Sequence, residues 1–308
     1  MTKKAHFFID DTIWVLRDIT RQRPEHLFDN PFFKMLKNAH DRYGVKTQIN
    51  LFYKTSYYYG MDDFSLADVT DAYKDEFRAS SDWLKFAFHA REEFPDYPHV
   101  NASYDDVYKL FRMIESEVFR FAGEQSFTYG VCPHWLPVSE PGTRALYDCG
   151  VRIMSSTVGD VSEYTGDPAC LPYGHAGRLL QNRRPEARLY HRPGRDVAIE
   201  RSVCSYNHIP SEVNDRIFKT PDSMLDEPTG MRFKDYCSAC LNLTPYEELT
   251  QEFAPLLGDE FIGICDHEQY FYADYFAYQP DYDQKIYKMG EILSENGYEF
   301  VFAEDLVK

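Results

Sequence analysis

Carboxylate and imidazole side chains follow several apolar runs of this chain, at the points where we expect strands to end. Those nearest to such ends are Asp10, Asp11, His89, His134, His267 and Glu268. Side chains of these types bind divalent metals such as zinc, and they also transfer protons as general acids and bases. The sequence therefore carries the donors for metal-assisted chemistry, provided that the fold brings the strand ends together.

The elements that must position these residues alternate between short apolar runs and amphipathic segments. Strands are predicted over 6–9, 45–52, 83–88, 126–131, 151–154, 197–203, 261–265 and 299–303. Helices are predicted over 29–40, 65–78, 103–123, 141–149, 245–257 and 283–296. This alternation is typical of parallel βαβ units. Seven or eight such units favour an irregular (β/α)7-8 barrel, with 1–308 forming a single α/β domain.

A doubly wound open sheet is the alternative architecture for the same alternation. It would normally carry a glycine-rich phosphate turn after the first strand. The first predicted strand instead ends in Asp10-Asp11-Thr12, which contains no glycine. The barrel is therefore the favoured fold.

In a parallel barrel, the catalytic groups come from the carboxyl ends of the strands. The predicted strand starts carry mostly basic residues, such as Lys3, Lys46 and Arg152, and no comparable set of imidazoles. This asymmetry predicts an active site at one end of the barrel. Each residue also has a purely structural interpretation, because an Asp pair often caps a turn and a single His is often a satisfied buried polar group.

Three motifs at these strand ends resemble the polysaccharide deacetylase (NodB-like) superfamily. They are Phe7-Phe-Ile-Asp-Asp11, Lys85-Phe-Ala-Phe-His-Ala90 and Ile262-Gly-Ile-Cys-Asp-His267. The resemblance implies an irregular β/α barrel that removes an acyl group from a carbohydrate by means of a divalent metal, zinc being the first choice. By position it implies that Asp10 is the catalytic base, His267 the general acid, and Asp11 and His89 metal ligands.

The sequence departs from the family pattern in three places. Glu93 stands where the family has its second metal-binding His, and Cys132-Pro-His-Trp135 replaces the family's arginine motif after strand four. Thr12 stands where Gly is usual. Glu93 could still bind a metal, and His134 could supply the missing imidazole or serve as a core or substrate contact. The resemblance thus implies a metal set drawn from Asp11, His89, Glu93 and His134.

Aromatic residues make up 16% of the chain and are concentrated in 52–60 and 270–278. Both stretches follow functional strand ends, where aromatic rings could stack on the apolar faces of a sugar. The predicted substrate contacts are Trp135, Tyr57, Tyr58, Glu268, Tyr270 and Tyr272. A hydrophobic cluster beneath a loop is the alternative interpretation.

The charge balance excludes some classes of partner. The chain has 33 basic and 50 acidic side chains, a formal net charge of −17, whereas nucleic-acid binding requires clustered Lys and Arg. No apolar run approaches the ~20 residues that cross a bilayer, and no secretory signal is recognisable at the N-terminus. We therefore expect a cytoplasmic protein that binds neither nucleic acid nor membrane.

One long insertion, residues 157–196, interrupts the alternation after strand five. Between Pro172 and Arg195 it carries six Arg and one Glu in an otherwise acidic chain. A loop of this length is usually functional or disordered. We expect it to cover the barrel mouth as a lid, or to hold a second subunit in a homo-oligomer.

The seven cysteines are scattered, which does not indicate a disulfide framework. Cys237-Ser-Ala-Cys240 has the spacing of a redox pair or of half a zinc site, but the sequence shows no second CxxC or HxxxH to complete it. We expect most of the thiols to be buried as small hydrophobic groups.

Two further functions remain open at the level of sequence. Asp11 and Glu268 could flank a glycosidic bond as a metal-independent glycosidase pair. The barrel could also bind carbohydrate without catalysis. Metal content separates the deacetylase prediction from both.

Overall fold

The computed structural model describes residues 2–55, 63–94, 98–99, 102–136, 138–155, 189–190, 199–200 and 216–307. Tyr57 and Tyr58 lie outside the described residues, and so does the 157–196 insertion apart from 189–190. The predictions that concern them therefore stay predictions.

The described strands are short and follow one another along the chain. They are β1 (Lys3–Thr12), β2 (Thr47–Phe52), β3 (Leu84–Ala90), β4 (Gly130–Val131), β5 (Ile153–Ser155), β6 (Leu189–Tyr190), β7 (Ile199–Glu200), β8 (Met224–Leu225), β9 (Arg232–Lys234), β10 (Ala239–Cys240), β11 (Phe261–His267) and β12 (Tyr298–Phe300). The helices are α1 (Trp14–Gln22), α2 (Pro31–Tyr43), α3 (Lys74–Ala79), α4 (Tyr104–Phe121), α5 (Glu140–Asp148), α6 (Leu249–Phe253) and α7 (Tyr282–Glu295).

A parallel sheet with β1 at its centre positions most of the strand ends of interest. Its order is β10-β11-β1-β2-β3, and β12 pairs with the start of β1. Every ladder in this sheet is parallel, as when Phe7 lies opposite Ile264 of β11 and Thr47 of β2. The carboxyl ends of these strands consequently meet at one edge.

A second sheet, in the order β4-β5-β9-β8, continues from the far side of β3. A parallel bridge between Phe86 and Phe127 joins the two sheets. Among the described residues no ladder joins the second sheet to β10. The chain therefore has an α/β fold with a parallel sheet, as predicted, whereas closure into a barrel stays a prediction.

The two faces of β1 meet different surroundings, because successive side chains point to opposite sides of a strand. Phe7 and Ile9 join the large apolar core. Phe8 joins a smaller cluster that also includes Cys132, Ile153, Tyr236, Cys240, Cys265 and Ala303. This smaller cluster places β1 and the second sheet around a common interior. Asp10 follows Phe8 on the inward face.

Capping contacts confirm one predicted helix start and place another one residue later than predicted. Ser103 Oγ accepts a hydrogen bond from the backbone N–H of Asp106 at the start of α4. At α2 the cap is Asn30 rather than Asp29, since Asn30 Oδ1 accepts from Phe32 N at 3.0 Å. Both caps supply an acceptor for the free N–H groups of a first helical turn.

The helix predicted over 65–78 is wrong in extent. Ser65 begins only a 3-10 turn, Leu66–Asp68, and α3 starts later at Lys74. The guanidinium of Arg120 donates to the carbonyl oxygens of Leu66 and Val69. A continuous helix would use these oxygens internally, so the Ser65–Asp68 capping box forms but caps only the 3-10 turn.

Other predicted elements also differ from the structure. The predicted helix 245–257 is a 3-10 turn, Tyr246–Glu248, followed by the five-residue α6. Within the predicted sixth strand, β7 pairs antiparallel with β6 and joins neither sheet. The helix α1 has no counterpart in the prediction. Along the part of the chain that the structure describes, no helix is both long and apolar enough to span a membrane.

Candidate active site

A bulge in β1 turns two consecutive aspartates toward the same region. The register between β1 and β2 shifts between Ile9 and Thr12, and Asp11 has φ of 60°. Positive φ is uncommon for a residue with a side chain, and such outliers concentrate at functional sites. Because the bulge interrupts the normal alternation, Asp10 and Asp11 both approach His89, at 3.7 Å and 3.0 Å.

Three of the predicted metal ligands come together in what we call the Asp11 cluster, consisting of Asp11, His89 and His134. Asp11 Oδ1 lies 3.0 Å from His89 Nε2 and 3.1 Å from His134 Nδ1. The two imidazole nitrogens are 3.1 Å apart. All three side chains are buried. The carboxyl end of β3 supplies His89, and the turn after β4 supplies His134.

Backbone carbonyls fix the far side of each imidazole. His89 Nδ1 donates to the carbonyl oxygen of Cys132 at 2.5 Å, and His134 Nε2 donates to that of Glu93 at 3.0 Å. These contacts place the protons of neutral rings on the far nitrogens. The lone pairs of His89 Nε2 and His134 Nδ1 then face Asp11, as in histidines whose orientation is fixed for metal binding.

The donor set fits a divalent cation. Ligand atoms at ~2.05 Å from a tetrahedral zinc ion lie about 3.3 Å from one another. The three atom pairs of the Asp11 cluster are separated by 3.0–3.1 Å, so a small expansion would accommodate the ion. Two imidazoles and one carboxylate are also a ligand combination that leaves a position for water or substrate.

Charge interactions within the cluster offset the effect of burial on its protonation. Burial opposes the charged form of Asp11, but His134 and His89 hold the pKa of Asp11 well below its usual value. Burial likewise disfavours charged His134, yet Asp11 raises the pKa of that imidazole. A positive charge next to Asp11 is thus favoured, whether it is a proton on His134 or a cation.

Asp10 lies next to the cluster in a different environment. Burial raises the pKa of Asp10, and the charges of His89 and His267 only partly offset this effect. Asn50 Nδ2 donates to Asp10 Oδ1 at 2.6 Å, and Gln48 Nε2 in turn donates to Asn50 Oδ1. These contacts hold Asp10 in place as a carboxylate with raised basicity, which suits a general base.

His267 lies on the other side of Asp11, at the end of β11. Its Nε2 is 3.9 Å from Asp11 Oδ2, and its Nδ1 is 2.9 Å from Asn242 Oδ1. The side chain is 29% exposed, which leaves access for a substrate. Burial works against the charged ring, but neighbouring Cys240 and Asp11 raise the pKa of His267 well above its usual value. A protonated His267 would be a suitable proton donor.

The carboxylates of Glu93 and Glu268 have hydrogen-bond partners other than those predicted. Glu93 contacts His134 through its backbone carbonyl, and its carboxylate accepts from Gln269 Nε2. The carboxylate of Glu268 is buried and accepts the backbone N–H groups of Ile13, Trp14 and Val15. Glu268 therefore anchors the N-terminus of α1, which does not fit substrate contact or a glycosidase pair with Asp11.

The predicted aromatic contacts are divided between two places. The Trp135 ring packs edge-on against His134, and the Tyr270 ring lies 6.3 Å from that of His267. Both are therefore beside the site. Tyr272 instead packs on Trp14 of α1, in line with the alternative of a hydrophobic cluster beneath the loop. Their contact with substrate stays a prediction.

Two asparagines that position the acid–base residues were missed by the sequence reasoning. Asn50 orients Asp10, and Asn242 orients His267. Their positions were the available signal, since Asn50 lies between Ile49 and Leu51 in the predicted strand 45–52 and Asn242 follows the Cys237–Cys240 motif. A polar group in an apolar strand implies a buried partner.

Comparisons with known proteins are sparse. No protein-family model and no curated protein matches the sequence. The crystal structure of 4-alpha-glucanotransferase from Thermococcus litoralis matches the whole chain with a TM-score of 0.56 at 9% sequence identity. The match covers 40% of that enzyme, so this chain spans less than half of its length. At this identity the likeness establishes a shared fold. The resemblance to polysaccharide deacetylases stays a prediction.

Proposed function

We propose that this protein is a metal-dependent carbohydrate hydrolase that removes an acyl group from a sugar, in the manner of a polysaccharide deacetylase. The observation that carries the proposal is the Asp11 cluster, flanked by Asp10 on one side and His267 on the other. A carbohydrate substrate is consistent with the glucanotransferase that shares the fold. It is also consistent with the rings of Trp135 and Tyr270 beside the site.

The residues present divide the work of hydrolysis between them. Asp11, His89 and His134 would hold a divalent cation, which supplies Lewis acidity toward the acyl carbonyl and toward a water molecule. Asp10 accepts a proton from the water as its oxygen attacks the acyl carbon. His267 donates a proton to the leaving nitrogen or oxygen as its bond to that carbon breaks. The products are a carboxylic acid and the free amine or alcohol of the sugar.

The position of Glu268 argues against the metal-independent glycosidase. A glycosidase pair needs two carboxylates that face the scissile bond, whereas both oxygens of Glu268 accept backbone N–H groups of α1. This geometry favours no second enzymatic function.

The test is an assay of the purified full chain on N-acetylated and O-acetylated oligosaccharides. Released acetate and newly formed reducing ends are measured in parallel, with zinc supplied and after removal by a chelator. We expect acetate release that needs the metal and no increase in reducing ends. Reducing ends without acetate would favour a glycosidase, and binding with neither product would favour a carbohydrate-binding protein.

A further inference from the structure

A second group of metal-binding side chains lies on the opposite side of the His267 ring. We call it the cysteine cluster and define it as Cys237, Cys240, Cys265 and His267. The Cys240, Cys265 and His267 ligand atoms all lie within 4.8 Å of one another. Cys265 Sγ is 3.9 Å from His267 Nδ1. Cys237 precedes Cys240 by three residues, and its thiol is within hydrogen-bond reach of the Cys265 thiol.

The sheet register builds this cluster. Cys240 of β10 lies directly opposite Cys265 of β11 in a parallel ladder, so neighbouring positions place the two thiols side by side. His267 follows Cys265 by two residues and therefore faces the same side of β11. The close approach of the cysteine-bearing segment requires Gly263, because a Cβ there would lie 1.6 Å from the carbonyl oxygen of Tyr236.

The chemistry of the donors points to a soft or borderline cation. Three thiols and one imidazole form a Cys3His set, which is one of the closed tetrahedral combinations of structural zinc sites. Thiolates at ~2.3 Å from zinc lie about 3.8 Å apart, so the ligand atoms of Cys240, Cys265 and His267, which lie within 4.8 Å of one another, would move together by up to about 1 Å on binding. Cys240 and Cys265 are buried, and burial shields such a site from solvent.

We propose that the cysteine cluster binds a structural zinc ion, separate from any ion held by the Asp11 cluster. His267 joins the two groups, because Nδ1 faces the cysteines while Nε2 faces Asp11. Zinc on Nδ1 would replace the proton now shared with Asn242 Oδ1. The ring would then keep a single proton, on Nε2, and would donate toward the Asp11 cluster as a neutral imidazole rather than as an imidazolium. The inference does not depend on the proposed function.

The test uses cobalt(II) as the probe metal, because a thiolate ligand to cobalt gives a near-ultraviolet charge-transfer band that carboxylate and imidazole ligands do not. The full chain is purified under reducing conditions, stripped of metal and titrated with cobalt. Bound zinc is counted separately by mass spectrometry. We expect the thiolate band in the wild-type protein, and its retention in a His89→Ala variant that lacks the Asp11 cluster.

The matched variants are Cys240→Ser and Cys149→Ser. Both replace a buried free cysteine, but Cys149 lies at the end of α5, outside the cluster. We expect Cys240→Ser to lose the band and one equivalent of zinc, and Cys149→Ser to keep both. Cys237→Ser, at a partly exposed position, repeats the test with less risk to folding, and it should lose most of the band.

Two outcomes would overturn the proposal. The first is a wild-type protein without the thiolate band whose zinc content is the same in Cys237→Ser. The second is a disulfide between Cys240 and Cys265, detected by peptide mapping without reduction, since oxidised sulfur does not bind zinc in this way. A wild-type protein that shows the thiolate–cobalt band but releases no acetate would count against the proposed function alone.

Discussion

The Asp11 cluster and the cysteine cluster share the His267 ring but are assembled in different ways. The first depends on a bulge that turns Asp10 and Asp11 to one side and on a turn that returns His134 to His89. The second depends on the plain register of two parallel strands, β10 and β11. An irregular backbone thus marks the group that we assign to catalysis, and a regular ladder marks the group that we assign to structure.

The donor sets of the two clusters also fit catalysis in the first and structure in the second. The Asp11 cluster offers three donors, which leaves room for water or substrate, and Asp10 and His267 flank it as proton carriers. The cysteine cluster offers four donors and would close around its ion. We therefore expect the two groups to respond separately to mutation.

The largest effect is expected from His89→Ala, which removes one donor from the Asp11 cluster. Metal ions contribute several kcal/mol to such transition states, and each ~1.4 kcal/mol is a factor of ten in rate. We expect kcat/KM for acetate release to fall on the order of 10³-fold, with one equivalent of zinc lost. Simultaneous loss of the thiolate–cobalt band would mean that the two clusters form a single site, and the comparison would then fail.

Asp10→Asn tests the proton carrier beside the same cluster. The variant keeps the size of the side chain but removes the base, and general bases contribute typically 10²–10⁴-fold. We expect a fall of this size in kcat, measured by acetate release, with the zinc content unchanged. Asp63→Asn, at an exposed position, is the control and should behave as wild type. A decrease of less than tenfold for Asp10→Asn would remove it from the mechanism.

The central strands and the Asp11 cluster could be predicted because they depend on local pattern. β1, β2 and β3 each contain adjacent apolar residues that predict a strand, and the carboxyl ends of parallel strands share an edge. Asp11, His89 and His134 were therefore expected at one place, and the structure brings them together. Their role as metal ligands stays a prediction.

The rest depends on contacts between residues far apart in the chain, which a single sequence does not show. α1 has no capping residue of its own, since Ile13 makes no side-chain cap. Its free N–H groups bond to Glu268, 253–255 residues away. The third cysteine beside Cys237 and Cys240 was equally invisible, because only the β10–β11 register identifies Cys265 as the neighbour.

Glu268→Gln should affect stability rather than chemistry. Burial raises the pKa of Glu268 to about 7, although three backbone N–H donors favour its charged form. Gln retains one acceptor oxygen but places an NH2 group against an N–H donor. We expect a loss of about 2 kcal/mol in the free energy of unfolding, the magnitude of a hydrogen bond to a charged group, measured by urea denaturation.

The activity of the same Glu268→Gln variant distinguishes a structural role of Glu268 from a catalytic one next to His267. Acetate release should stay within a few-fold of wild type, because Glu268 does not face the Asp11 cluster. Glu295→Gln, on an exposed part of α7, should change neither quantity. A loss of activity comparable to that of Asp10→Asn, with unchanged stability, would return Glu268 to the role of a catalytic carboxylate.

The smallest effect is expected at His6, a buried side chain of β1 that lies four residues before Asp10. Unlike His134, whose pKa Asp11 raises, His6 packs against Phe8 and Tyr236. Burial lowers the pKa of His6 to about 4. Between pH 6.5 and 4 the unfolded chain therefore binds a proton that the folded chain does not. The contribution of neutral His6 to the free energy of unfolding is complete above pH 6.5 and is lost as the pH falls.

With a pKa of 6.5 in the unfolded chain and about 4 in the folded chain, His6 should lower the free energy of unfolding by about 1.3 kcal/mol when the pH falls from 7.5 to 5.5. His6→Phe keeps an aromatic ring in the interior and should remove that part of the pH dependence. It should also lower the overall stability, since the carbonyl of Val301 loses its partner. Urea denaturation at the two pH values measures both effects, with a substitution at exposed His26 as the control. If His6→Phe leaves the pH dependence unchanged, His6 has the same pKa in the folded and the unfolded chain, and the contrast between an apolar and a charged end of β1 is wrong.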